Sequence, residues 1–307
     1  MADRSAQTPA HVTADDYAEV VAGRAEAEAA TADEFKEAVA EVHDLDADGV
    51  SVRLYRPAGA SADKGHGGAP GTLLYLHGGG FVFGGLITHD GFVRRLANRT
   101  GWAVLAVDYR LAPEHPYPAA VEDTEIAAAW WGREAASFGL TGPIVPIGDS
   151  AGAALAQGLT LRHPGTYRAQ ILVYPFLDPS GDSYDHTLEA PDLDLEACRW
   201  FWTLYFADSS RQPEVDADPL RASSYADQPH TFVQFAAHDV LVPTGRQLVQ
   251  RMRADGVMVI ERTYPGVGHG YWRRADNDQA EPSLSDIASF LDGSLRPEQE
   301  TSGTAGE

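Results

Sequence analysis

With 307 residues, 44% of them hydrophobic, the chain is long enough to bury a large core without disulfides or bound metal. A formal net charge of −22 repels nucleic-acid phosphates and anionic membranes, so neither is an expected partner. The single cysteine, Cys198, can form no internal disulfide, no stretch approaches the ~18 apolar residues of a membrane span, and the polar stretch from Met1 to Ala10 lacks a signal's apolar core, so a cytoplasmic protein is expected.

In chain order, residues 14–40 are rich in Ala, Glu and Asp and read as a helical N-terminal cap, with Thr13 or Asp15 capping the helix. Val50 to Tyr55 alternates apolar and polar residues, as a half-buried strand does. A loop of small residues and proline runs from Pro57 to Pro70. Apolar runs follow at Thr72–Leu76, Ala103–Val107, Ile144–Ile147, Ile171–Tyr174 and Thr231–Phe235, with a last strand at Val257–Tyr264. Helical patterns lie among them at Ala119–Trp131, Ala151–Leu161, Thr244–Ala254 and Leu284–Leu291. Buried strands alternating with helices predict an α/β class with a mostly parallel sheet covered on both faces.

The rhythm breaks between Pro175 and Pro229, where an acidic irregular stretch leads into an aromatic helix from Leu195 to Phe206. An insertion at about 178–215 is expected to lie over the strand ends as a lid. The expected division is an N-terminal cap at 1–45, a core at 46–296 and a disordered tail at 297–307.

Gly148-Asp149-Ser150-Ala151-Gly152 follows an apolar strand and opens an apolar helix. In that context a G-x-S-x-G pattern is a nucleophile elbow, a tight turn that leaves the serine hydroxyl free at the end of the sheet. Upstream, His77-Gly78-Gly79-Gly80-Phe81 follows the Thr72–Leu76 strand. Such a loop offers backbone N–H groups to an oxyanion, and Ala151, the residue after the serine, supplies a further donor.

A serine hydroxyl needs a base and an acid that orients it, in the chain order Ser, Asp or Glu, His. His269 stands in a glycine-flanked loop after the last strand and is the favoured base. His238 follows an earlier strand but adjoins Asp239 and is its competitor; His230 precedes that strand, at the wrong end of the sheet. Asp239 is the candidate acid, with a helix cap as its other reading. Asp149 reads as structural, and Asp216 and Asp218 as turn residues. Phe81, Phe83, Trp200, Phe201, Trp202 and Tyr205 either line a substrate pocket or pack the cap. Cys198 reads as a small buried hydrophobe. No C-x-x-C or H-E-x-x-H pattern points to a metal.

From about Val50 to Leu291 the chain resembles the hormone-sensitive-lipase-like branch of the α/β hydrolases, the bacterial esterases with an HGGG loop. The resemblance rests on the two glycine motifs, on the diagnostic run from Asp108-Tyr109-Arg110-Leu111-Ala112-Pro113 through Glu114-His115-Pro116-Tyr117-Pro118-Ala119-Ala120, and on Ala237-His238-Asp239-Val240-Leu241 and His269-Gly270-Tyr271. It implies an eight-stranded, mostly parallel sheet with a helical cap. It implies Ser150 as nucleophile, Asp239 as orienting acid, His269 as base, and an oxyanion hole from the N–H groups of Gly79, Gly80 and Ala151. It also implies a small-molecule ester substrate with a short or medium acyl chain, no cofactor, and a possible homodimer. The chain departs from the family at Asp239-Val240-Leu241-Val242-Pro243, where members carry a run like Asp-Pro-Leu-Arg-Asp; the acid itself is kept. The same triad also suits a biosynthetic acyltransferase, dehydratase or cyclase. Receptors resembling this branch lack the histidine that His269 supplies.

Overall fold

The computed structural model describes residues 12–58, 71–190, 192–207 and 214–295. The expected tail at 297–307, the first eleven residues, and residues 208–213 of the expected insertion lie outside them.

Helix α1 (Ala14–Ala32) begins at Thr13, where side chain and backbone of Thr13 and Asp16 cap one another reciprocally. It ends sooner than the composition of 14–40 predicts. The next element is a strand, β1 (Glu41–Ala47), which crosses the boundary expected at residue 45. β1 pairs antiparallel with β2 (Val50–Arg56) through a turn at Asp48 and Gly49, both with positive φ.

There follow β3 (Thr72–Leu76), α2 (Asp90–Thr100), β4 (Ala103–Val107), α3 (Ala119–Glu134), β5 (Ile144–Asp149), α4 (Ala151–Arg162) and β6 (Ala169–Val173). After the irregular stretch come α5 (Leu195–Tyr205), β7 (His230–His238), α6 (Val242–Ala254), β8 (Val259–Gly268) and α7 (Ala280–Ser294). Among the described residues the strands form one eight-stranded sheet in the order β1-β2-β4-β3-β5-β6-β7-β8. It is parallel from β4 to β8 and antiparallel where β2 meets β1 and β4.

The side-chain period of two sends alternate residues to opposite layers. Leu74, Leu76, Leu105 and Val107 face α3, α4 and α6, whose Trp131, Leu155, Leu159 and Leu248 complete that core. Leu73, Tyr75, Val104, Ile147, Ile171 and Val173 face α2 and α7, meeting Phe92, Leu96, Leu284 and Ile287. Burial on both faces explains why these strands read as continuous apolar runs.

Helix α1 packs across the loop after β3 and against α5. On α1, Val20 is fully buried, and the helix is tied down through polar contacts. Arg24 donates to the carbonyls of Val82 and Ala112 at 2.9 and 2.8 Å and pairs with Glu114 at 2.7 Å. Asp16 accepts a bond from Trp200 Nε1 on α5 at 2.9 Å. No helix among the described residues is long and apolar enough to cross a membrane.

Candidate active site

β3, β5, β7 and β8 are parallel, so their C-terminal ends share one rim of the sheet. Loops at that rim carry the residues predicted to do chemistry.

Ser150 sits between β5 and α4 with φ 53° and ψ −118°. Positive φ is uncommon outside glycine, and here the strained turn stands where a nucleophile is expected. Its glycine neighbours make the turn possible. A Cβ on Gly148 would meet the backbone of Gly152 at 2.3 Å. The Ser150 N–H donates to the Val173 carbonyl at 2.9 Å, and its carbonyl accepts from Phe176 at 3.1 Å, so both flanks of the elbow are fixed.

His269 Nε2 lies 2.9 Å from Ser150 Oγ, and His269 Nδ1 lies 2.7 Å from Asp239 Oδ2. The Asp239 carboxylate is buried, and its second oxygen accepts from the Leu241 N–H at 2.9 Å. One oxygen thus steadies the loop entering α6 while the other faces the imidazole; the N-cap position of α6 is Leu241, with no side-chain cap, so Asp239 does not cap it. His238 is exposed and His230 lies at the opposite end of β7, stacked edge-on against Phe290. The ring of Tyr174 packs 4.6 Å from that of His269 and limits its swing.

The loop after β3 turns through Gly79 and Gly80, with φ of 121° and 62°. A Cβ on Gly79 would strike the Phe83 carbonyl at 2.2 Å, and one on Gly80 the Phe201 ring at 2.4 Å. The N–H groups of Gly79, Gly80 and Ala151 donate to no turn, loop or cap partner among the described residues. Asp149 ties this loop to the elbow, its Oδ1 accepting from the Gly78 N–H at 2.9 Å and from Tyr75 OH at 2.8 Å. Burial pushes the His77 imidazole below its ordinary pKa, so the ring is neutral.

The diagnostic run after β4 braces the same loop. Tyr109 stacks on His77 with centroids 4.1 Å apart and donates to its carbonyl at 2.6 Å, while the Ala112 N–H donates to the Phe81 carbonyl at 3.0 Å. Arg110 is held in turn by Asp123, through contacts of 2.8 to 3.0 Å. Asp216 lies in a turn but is buried, accepting from Tyr117 OH at 3.0 Å and pairing with Arg162.

The six aromatic candidates divide by burial. Phe81, Trp202 and Tyr205 are buried, with Phe81 stacked on Tyr205 at 3.9 Å and Trp202 donating to Tyr184 OH at 2.8 Å. Phe83, Trp200 and Phe201 are half-buried and meet one another at 5.4 to 6.1 Å. Cys198 is buried, and burial, with the Asp239 charge behind it, pushes its thiol up to about 12. A cavity of about 470 Å³ opens between α1 and the 84–88 and 108–115 segments, but Ser150, His269 and Asp239 do not line it.

Sequence reasoning overlooked Arg273. It lies four residues beyond His269, with Nε 3.5 Å from Asp149 Oδ2. No motif marks it, because only the fold carries the end of that loop back to the elbow.

A family model described as the α/β-hydrolase fold matches residues 73–273. Esterase LipI of Mycobacterium tuberculosis is 36% identical over 244 residues, spanning 75% of this chain and 74% of that one. An ethyl acetate hydrolase of Pseudomonas putida is 33% identical over 235 residues, spanning 72% and 71%. Among solved structures, a hyperthermophilic esterase from the archaeon Pyrobaculum calidifontis superposes with a TM-score of 0.78 at 30% identity, covering 91% of this chain and 94% of the other. The chain therefore belongs to the α/β-hydrolase fold family, in the hormone-sensitive-lipase-like branch alongside the bacterial carboxylesterases.

Proposed function

We propose that this carboxylester hydrolase works through an acyl-enzyme on Ser150, with His269 as general base and acid and Asp239 as the group that orients it. The observation that carries this reading is the unbroken chain of contacts from Ser150 Oγ to His269 Nε2 at 2.9 Å and from His269 Nδ1 to Asp239 at 2.7 Å. Ser150 Oγ attacks the ester carbonyl as His269 takes its proton. The tetrahedral oxyanion is held by the N–H groups of Gly79, Gly80 and Ala151. The C–O bond to the alcohol then breaks, and His269 returns the proton to the leaving oxygen. Water attacks the acyl-enzyme by the same relay, releasing the acid and restoring the Ser150 hydroxyl.

Small esters with short or medium acyl chains are the substrates. The name of the Pseudomonas putida relative supports this, as do the aromatic rings of Phe83, Trp200 and Phe201 crowding the oxyanion loop. Phe81, Trp202 and Tyr205 shape the pocket from behind. The reading extends to a cytoplasmic setting, supported by the lone buried cysteine, and to a homodimer, supported by the open edge at β8 with Met258 and Ile260 exposed beside it.

Turnover of p-nitrophenyl esters graded from acetyl to decanoyl tests the reading. Wild type is expected to favour the shorter chains, and Ser150→Ala to lose about four to six orders of magnitude in kcat. Substantial turnover by Ser150→Ala would overturn the nucleophile assignment.

A further inference from the structure

Asp149 is the residue before the nucleophile and carries its carboxylate buried. A buried charge needs partners. Its Oδ1 is occupied by the Gly78 N–H and Tyr75 OH, one residue from the oxyanion glycines. Its Oδ2 faces Tyr174 OH at 3.5 Å and Arg273 Nε at 3.5 Å. Arg273 is the cation in this cluster, and it ends the short helical turn Tyr271–Arg273 that follows His269.

The half-buried Arg273 has further contacts. Its Nη1 donates to His89 Nε2 at 3.0 Å, which makes that nitrogen an acceptor and leaves the ring proton on Nδ1, facing the Gly85 carbonyl at 3.2 Å. Its own carbonyl accepts from buried Arg95 at 3.1 Å. Partial burial opposes the Arg273 charge, but the Asp149 carboxylate outweighs it and raises the guanidinium pKa. Tyr174 also packs against His269, so one cluster touches the imidazole, the elbow and the oxyanion loop.

We propose that Arg273 is a positioning residue for ester hydrolysis, clamping the loop that bears His269 to Asp149 and so fixing the imidazole relative to Ser150 and the oxyanion glycines. The proposal rests on the Ser150 and His269 assignments above. Its effect falls on geometry during the reaction and not on substrate binding, because its side-chain contacts run to Asp149 and His89 and not to Ser150 or the glycines of the oxyanion loop. Displacements of an ångström at such a site cost about 100-fold in rate.

The test is steady-state kinetics on an acetyl ester, with melting temperatures, for Arg273→Met, Arg273→Lys, Asp149→Asn and the Arg273→Met/Asp149→Asn double variant. Arg273→Met is expected to lower kcat by about 10- to 100-fold with KM little changed. Arg273→Lys, which keeps the charge, is expected to recover part of that loss. The double variant is expected to fall short of the sum of the two single losses, as for groups in one network. A kcat for Arg273→Met within about twofold of wild type would overturn the proposal. So would an Arg273→Lys that recovers nothing, or additive losses that track the melting temperature. Ser150→Ala measured alongside separates the two claims. Residual turnover there removes the nucleophile assignment, whereas an inactive Ser150→Ala with an unimpaired Arg273→Met removes the role of Arg273 alone.

Discussion

The Cα of Gly152 lies against the Leu76 carbonyl so closely that a Cβ there would stand 1.9 Å from the oxygen. Strand β3 and the first turn of α4 thus meet through backbone alone, which brings the oxyanion loop to the elbow. Gly152→Ala is expected to destabilise the protein by about 3 kcal/mol, since the neighbour is backbone and cannot yield, and to lower kcat in whatever remains folded. Gly132 supplies the contrast. It lies exposed within α3 with nothing near its missing Cβ, so Gly132→Ala is expected to stabilise by about 0.5–1 kcal/mol. Urea unfolding of both variants, beside ester turnover, checks the pair.

Phe201 on α5 closes on the loop after β3, its ring filling the space above Gly80. Truncation to Phe201→Ala opens that space without touching Ser150, His269 or Asp239. The ratio of kcat/KM for an octanoyl ester over an acetyl ester is expected to rise by about tenfold, the scale on which pockets discriminate single methylenes. An unchanged ratio with intact activity would place Phe201 outside the acyl path.

Glu37 offers a pH test. Its carboxyl lies below the ordinary range because Arg99 holds it, Nη2 to Oε1 at 2.7 Å, with Arg99 also paired to Glu281 at 2.6 Å. A depressed folded-state pKa gives stability that is present above the ordinary glutamate range and is lost as pH falls through the folded value. Wild type is therefore expected to exceed Glu37→Gln by about 0.5–1 kcal/mol near pH ~6.5 and to lose that margin near pH ~3. Urea unfolding at the two pH values measures it.

Much of this was legible in the sequence where local chemistry and tertiary need coincide. Strands β3 and β4 run over the residues expected, since burial on both faces leaves an unbroken apolar run. The glycine motifs read clearly because Gly79 and Gly80 hold positive φ, Gly148 and Gly152 answer backbone collisions, and Gly78 lies against the Asp149 carboxylate. Strand β1 did not, because Glu41-Val42-His43-Asp44 is exposed at the sheet edge and carries no alternation to read. Helix α2 did carry a signal in Phe92, Val93, Leu96 and Ala97, apolar at helical spacing behind a Gly101 stop, and it was overlooked beside the stronger strands. Arg273 had no signal at all, since its partners Asp149 and His89 lie more than 100 residues away in the chain.

The measurement closest to the central claim is labelling with a fluorophosphonate followed by peptide mapping. An activated serine facing amide donors reacts with such a probe, and an idle one does not. The account predicts a single label on Ser150 in wild type, and its loss in both Ser150→Ala and His269→Ala. A label on another residue, or undiminished labelling of Ser150 after His269 is removed, would contradict it.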